Sequence, residues 1–339
     1  MKILIYDVDF KSSGTLYPLK DVFENIGHEV DMFDWRKYLY TYSKANISNR
    51  IKDRFLIDIV VFKINRDLRE MIRKGNYDLL IVVRGEHILP ETIRVAKKLI
   101  PKVVNWSTDD LFNKLNSSKR ILSSFGEYDI HFSPRCHLRE EYLLKGAKSF
   151  EVVDWYYRPG TVRNPPVPGN IDYSHNISFI GSYSERRKWL LNSLISFDLQ
   201  LSGWGWNKRL DLKAYPNWNL GLPIRMDQMM SAFSNTKINI NIFTIENRDR
   251  INPRNYDIAV AGGFQISERS AEVLEVFEED KEIVCFESPE ELESKCAYYL
   301  KHDSLREKIA LAGYNKIING KNSLIDRARE ISNVIISQL

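Results

Sequence analysis

Two consecutive α/β halves, each a parallel sheet with helices on its faces, form the fold class that this sequence predicts. Three observations predict it. Short apolar runs alternate with amphipathic stretches up to about residue 155, the pattern of a parallel sheet covered by helices. The segment YYRPGTVRNPPVPGNI (156–171) then breaks the periodicity with four prolines and two glycines, a linker signature. Beyond it the alternation restarts. At 339 residues the chain also exceeds what one hydrophobic core usually organises.

In the first half the expected strands are KILIYDV (2–8), HEVDMFDW (28–35), DLLIVV (78–83), KVVNW (102–106), DIHFS (129–133) and SFEVVDW (149–155). Helices are expected between them. Residues 16–26 end at Gly27, a plausible stop; 52–74 carry Phe55, Val60, Ile64, Leu68 and Met71 as a stripe; 90–99 begin with Pro90 at a helix start. In the second half the expected strands are 177–182, 199–206, 237–243, 263–267 and 282–288, with helices at 185–197, 224–235, 253–262 and 289–303 and a helical tail. The expected division is an N-terminal domain at 1–160, a linker at 161–172, a second domain at 173–320 and a terminal helix at 321–339. Two such halves imply a cleft between them, with strand C-termini facing it, where doubly wound folds bind ligands.

Composition narrows the function classes. Hydrophobic residues make up 43% and charged residues 28%, as in a folded globular chain. Forty-nine Lys and Arg against 45 Asp and Glu leave a formal net charge of +4, too mild for a nucleic-acid binder. Cys136, Cys285 and Cys296 are odd in number and far apart, which speaks against a disulfide framework or a zinc site. The start MKILIYDVD has no signal-peptide pattern, and no apolar run reaches a membrane span; the closest, FLIDIVVF (55–62), is short and broken by Asp58. The expectation is a cytoplasmic protein, with membrane contact at most peripheral to the inner face. A dinucleotide-dependent oxidoreductase is excluded because KILIYDVDFKSSG lacks GxGxxG after the first strand.

The most informative stretch is IENRDRINPRNYDIAVAGGFQIS (245–267). Asn252 is a good N-cap and Pro253 suits the first helical position, so the helix start offers N–H groups and a positive dipole end to an anion. Arg254 in the first turn is disfavoured by that dipole by about 0.3–1 kcal/mol, a cost a bound anion would reverse. Asp257, one turn on, can accept hydroxyl hydrogen bonds from a ribose, and Ala261, Gly262 and Gly263 let another backbone come close. The plainer reading is an Arg254–Asp257 ion pair followed by a glycine helix stop.

Further on stand Val276-Phe277-Glu278-Glu279-Asp280-Lys281-Glu282-Ile283-Val284, Glu290-Glu291-Leu292, Tyr298-Tyr299-Leu300 and Arg306 to Tyr314 (REKIALAGY). With Arg254 to Asp257 and Ala261 to Phe264, in this order and spacing, residues 177 to 318 resemble the glycosyltransferase-like domain of the CgeB (spore maturation) family. The resemblance implies a GT-B fold of two Rossmann-like domains. It implies a C-terminal domain that binds a nucleotide-sugar as donor substrate, and neither metal nor other cofactor. Two positions depart from the pattern: Asp257 replaces the glutamate of the family's R-x-F-E, and Asp249 replaces the first of a glutamate pair eight apart in related enzymes.

A second donor candidate is FIGSYSERRKW (179–189), where Gly181 and Ser182 end a strand and Arg186 or Arg187 adds charge for a diphosphate; an ordinary tight turn is the bland alternative. Trp204 and Trp206 in LSGWGW (201–206) offer an aromatic wall or, more simply, core tryptophans. In the first half Trp106-Ser107-Thr108-Asp109-Asp110 matches a W-x-x-D-D segment of CgeB-like proteins. Asp109 or Asp110 can serve as the base that inverting transfer needs, or simply cap a helix at LFNKL. His87, in RGEHILPE (84–91) with Arg84 and Glu86, is the other base candidate. Ser12, Ser13 and Gly14 resemble the first loop of such folds by analogy alone. The expected partners are a nucleoside-diphosphate sugar and a glycan, lipid-linked or protein acceptor, as in bacterial surface polysaccharide or glycoconjugate synthesis. The alternative is a non-catalytic scaffold that binds a nucleotide-sugar or glycan.

Overall fold

The computed structural model describes residues 1–7, 19–43, 46–169, 171–224 and 226–338; the loop with Ser12, Ser13 and Gly14 lies outside them. The chain divides into two compact units, Met1–Asp154 with Leu324–Leu339, and Trp155–Ser323.

The first unit is built on β1 (Lys2–Asp7), β2 (Glu29–Asp34), β3 (Leu79–Val83), β4 (Lys102–Trp106), β5 (Ile130–Ser133) and β6 (Phe150–Val152), all parallel, in the order β2-β1-β3-β4-β5-β6. Ile3, Leu4, Ile5, Leu79, Leu80 and Ile81 are fully buried, because helices cover both faces of the sheet. The helix Ile57–Gly75 turns Val60, Ile64, Leu68 and Ile72 into the core around Leu80, Val82 and Val103, and Asn76 in the left-handed region (φ 47°) ends it. The terminal helix Leu324–Ile336 also belongs here: Ala328, Ile331 and Ile335 are buried, and His28 Nε2 lies 3.0 Å from Ser332 Oγ. A division read along the chain does not foresee this return.

The second unit holds β7 (His175–Ile180), β8 (Leu199–Ser202), β9 (Trp218–Gly221), β10 (Thr236–Asn241), β11 (Gln265–Glu268) and β12 (Val284–Phe286), parallel throughout, in the order β12-β11-β10-β7-β8-β9. β9 is absent from the sequence expectation: WNLG has four residues and only Trp218 is buried, too little for an alternation to register. The chain runs outward from β7 through β8 and β9, then resumes at β10 on the other side. The order therefore reverses between β7 and β10, where doubly wound sheets open a crevice at the strand C-termini. In the first unit the reversal falls between β1 and β3.

Candidate functional site

In the second unit, buried amides set the head of the helix Pro253–Val260. Asn252 caps it and forms a capping box with Asn255. Asn241 Nδ2 donates to Asn252 Oδ1 (3.1 Å), Asn255 Nδ2 to Ser267 Oγ (3.0 Å), and Gln265 Nε2 to the Asn255 carbonyl (3.0 Å). Asn239 and Asn241 face Gln265 and Ser267 across β10 and β11, so the strand ends supply the partners. The alternating asparagines of TKININ are the signal of this network in the sequence.

The network corrects one expectation. Pro253 has no N–H, the Arg254 N–H donates to Asn252 Oδ1, and the Asn255 N–H donates to the Asn252 carbonyl. The helix start thus offers an anion its dipole and Arg254 rather than free N–H groups. Arg254 lies 3.5 Å from Asp257, packs its guanidinium 5.2 Å from the Phe233 ring centroid and touches Met229 Sδ. Asp257 is 4% exposed. Burial pushes its carboxyl above the ordinary range, and the charges of Arg254 and Arg158 pull it back. Gly262 and Gly263 stand at the opposite end of the helix, where their N–H groups donate to the Ala259 and Ile258 carbonyls with Gly262 at φ 76°. That is a glycine-terminated helix end.

At the reversal point Gly181 and Ser182 follow β7. Gly181 donates to the Ser202 carbonyl and accepts from Trp206 Nε1 at 2.8 Å. Gly203 (φ 151°) lies so near that a Cβ there would enter the Gly181 carbonyl. Arg187 donates to the Ser182 and Ile242 carbonyls (3.0 and 2.9 Å) and to Thr244 Oγ1, spanning the ends of β7 and β10. Arg186 forks onto Glu268 at the end of β11. Beside it a cavity of about 380 Å³ is lined by Arg186, Phe243, Asp249, Arg250, Glu268 and Arg269, among others. Arg250 and Arg269 are not among the residues the sequence points to; their one signal there is Glu268-Arg269-Ser270, where a strand end meets a helix cap. The two tryptophans differ: Trp206 is fully buried, whereas Trp204 is 75% exposed and free to stack on a ring.

In the first unit the loop after β3 is strained, with Arg84 (φ 59°), Gly85 (φ 91°) and His87 (φ 67°) all left-handed, a conformation that costs non-glycine residues about 1–3 kcal/mol each. Tyr6 Oη donates to the Glu86 carbonyl, Asn65 Nδ2 donates to the His87 carbonyl, and Asn65 Oδ1 accepts from the Leu89 N–H. The loop gathers Arg84, Glu86, His87 and Asp109: Arg84 lies 3.6 Å from Asp109 and 3.8 Å from Glu86, and His87 Nε2 lies 4.0 Å from Glu86. His87 meets Trp35 edge-on. Burial lowers its pKa, Arg120 and Arg84 adding while Glu86 opposes, so the imidazole is neutral near pH 7 and able to accept a proton. Asp110 is different. It is fully buried and accepts from the Phe112 N–H, capping a turn where a helix was expected, so its own carboxylate is not at the surface to act as a base.

Residues 186–333 match the family described as glycosyl transferase-like, a stretch that includes Arg186, Asn252, Arg254 and Asp257. In fold the whole chain is similar to sucrose-phosphate synthase from Thermosynechococcus elongatus (TM-score 0.70, 11% identity, 100% of this chain and 99% of that one). It is likewise similar to the lipopolysaccharide outer core galactosyltransferase WaaB (0.63, 13%, 100% of both) and to Anabaena HepE in complex with UDP-glucose (0.63, 10%, 100% of both). No curated protein matches the chain. The two six-stranded parallel sheets and these likenesses define the GT-B fold. Its second half is glycosyltransferase-like in sequence as well.

Proposed function

We propose that this chain is a glycosyltransferase that moves a sugar from a nucleoside-diphosphate sugar to an acceptor hydroxyl, within the CgeB-like group on the strength of the segments between Arg254 and Tyr314. One observation carries the reading: the glycosyl transferase-like stretch supplies both the Arg254–Asp257 helix head and the arginine-lined cavity at the C-terminal strand ends of the second unit.

On this reading Arg254 and Arg186, near Ser182, balance the charge that grows on the leaving diphosphate. Asp257 accepts ribose hydroxyls, and Trp204 stacks on a ring. His87 removes the acceptor proton if the stereochemistry inverts, with Glu86 as its charged neighbour and Asp109 held on Arg84 in the same loop cluster. The donor is the only small molecule required and no metal takes part. The acceptor is a glycan, lipid-linked or protein hydroxyl of a cell-surface glycoconjugate.

A non-catalytic binding scaffold is the second reading, and a specific observation favours it. Arg186, Arg250 and Arg269 already hold Glu268, Glu272 and Glu279, so a diphosphate must compete with carboxylates for each. Calorimetric titration with UDP-, GDP- and dTDP-sugars, run beside an assay for released nucleoside diphosphate, separates the two. Transfer or slow hydrolysis of a bound donor supports the enzyme. Binding without turnover of any donor supports the scaffold, and no binding removes both.

A further inference from the structure

The helices Ile47–Phe55 and Ile57–Gly75 carry an apolar stripe that the fold does not use. Ile47 is 76% exposed, Ile51 50%, Phe55 78%, Ile59 53% and Phe62 60%. The first three recur every fourth residue and so share one face, and Ile59 and Phe62 share another one turn apart. Single exposed apolar side chains are ordinary on a protein surface, but a helical repeat of them on two consecutive helices marks a contact surface. The inner face of the second helix is already occupied, since Val60, Ile64, Leu68 and Ile72 are buried in the core. The first helix buries none of its nine residues; Asn49 and Asp53 tie its polar side to Tyr40 and Thr41, and its apolar face serves nothing inside the unit.

The charges around the stripe say what covers it. Residues 47–74 hold eight Lys and Arg against four Asp and Glu, an excess equal to the +4 of the whole chain. Each acid is already engaged: Asp53 accepts from the Tyr40 and Thr41 N–H groups, Asp58 pairs with Arg120, and Asp67 and Glu70 pair with Arg66 and Lys74 of the same segment. Arg50, Arg54 and Lys63 are exposed and have no ion-pair partner among the described residues. An apolar stripe flanked by unpaired cations complements a layer that is apolar inside and anionic at its surface. A second copy of the chain suits it poorly, because a symmetric contact would set the same cations against themselves. Among the described residues no helix is long and apolar enough to cross a membrane, so the contact is one of lying on a surface rather than spanning it.

We propose that Ile47, Ile51, Phe55, Ile59 and Phe62, flanked by Arg50, Arg54 and Lys63, dock the first unit on an anionic phospholipid surface. The proposal is independent of the transfer reaction, because none of these residues belongs to the candidate site. The test is co-sedimentation of the 339-residue chain with phosphatidylcholine vesicles, with and without about 30% phosphatidylglycerol. Pelleting should require the anionic lipid and should weaken at least about tenfold in about 0.5 M NaCl. The double variant Ile51→Ser/Phe55→Ser should lose more than about tenfold in partitioning with an unchanged melting temperature, since neither side chain is buried. Arg50→Glu/Arg54→Glu should weaken binding to the anionic vesicles alone. Absence of pelleting, or equal pelleting of the serine variant, overturns the proposal. So does a wild-type dimer that the serine variant dissociates, which would make the stripe a contact between copies.

Discussion

Replacing Arg254 by alanine separates a packing role from a binding role in one side chain. The packing cost can be worked from its neighbours. The guanidinium lies over Phe233 and 3.5 Å from a carboxylate that is 4% exposed. Breaking a fully buried ion pair costs about 3–5 kcal/mol. Arg254 itself is a quarter exposed, however, and burial already favours the protonated form of Asp257, so the stranded carboxyl can escape by taking up a proton. The expected cost is therefore about 2 kcal/mol, or a fall in melting temperature of about 4–8 °C for a unit of this size. Asp257→Asn keeps the shape and removes a charge that its surroundings disfavour, so it should cost less than about 1 kcal/mol. The double variant should lose less than the two single losses added together, as contacting residues do. Melting curves with and without UDP read both roles at once, because a ligand of the native state raises its melting temperature. Both single variants should lose most of the UDP-induced rise. An Arg254→Ala protein that keeps the full rise would refute the assigned phosphate contact, and strict additivity would refute the coupling.

Other outcomes follow from single neighbourhoods. Gly203→Ala drives a methyl group into the Gly181 carbonyl at a left-handed backbone position; it should cost about 2–4 kcal/mol, and an unchanged melting temperature would contradict the close approach of the β7 and β8 ends. His131 is fully buried on β5 with Nε2 at 2.9 Å from the Phe125 carbonyl, and burial pushes its pKa down to about 4. The unfolded chain takes up that proton near pH 6.5 and the folded chain does not. Stability should therefore be full above pH 6.5 and fall by about 3 kcal/mol as the pH drops towards 4, with a shallower fall in His131→Gln; parallel denaturation curves for the two proteins would contradict this. Transfer should be unaffected by EDTA, and its abolition would point to a metal site outside the proposed scheme. His87→Gln should lower kcat far more than donor affinity, by about 10²–10⁴-fold, and an unchanged kcat would remove it as the base.

The fold was legible because long-range order was written into local pattern. KILIYD, LLIVV and KVVNW are strands buried on both faces, and continuous apolar runs read that way without a partner in view. WNLG was illegible because four residues with one buried side chain leave no period to detect. The candidate site was legible in type but not in allegiance. Asn252 reads as a cap and is one, yet the donors it was expected to leave free are consumed by its own side chain and carbonyl. Asp110 reads as a surface carboxylate and is turned inward, because Phe112 N–H needs an acceptor in a turn that replaces the expected helix. The adjacent arginines 186 and 187 look alike in sequence. One forks onto Glu268 and the other staples β7 to β10, a distinction set by strand order, which no local pattern contains.

On the proposed function, a nucleoside-diphosphate sugar binds at the C-terminal strand edge of the second unit. Amide hydrogen exchange with and without a saturating UDP-sugar (or another nucleotide-sugar that raises the melting temperature) tests it most directly. Slower exchange confined to residues 181–187, 203–206, 243–257 and 268–272, the residues of the strand edge and its cavity, is the predicted result; protection elsewhere, or none with a ligand shown to bind, would contradict it.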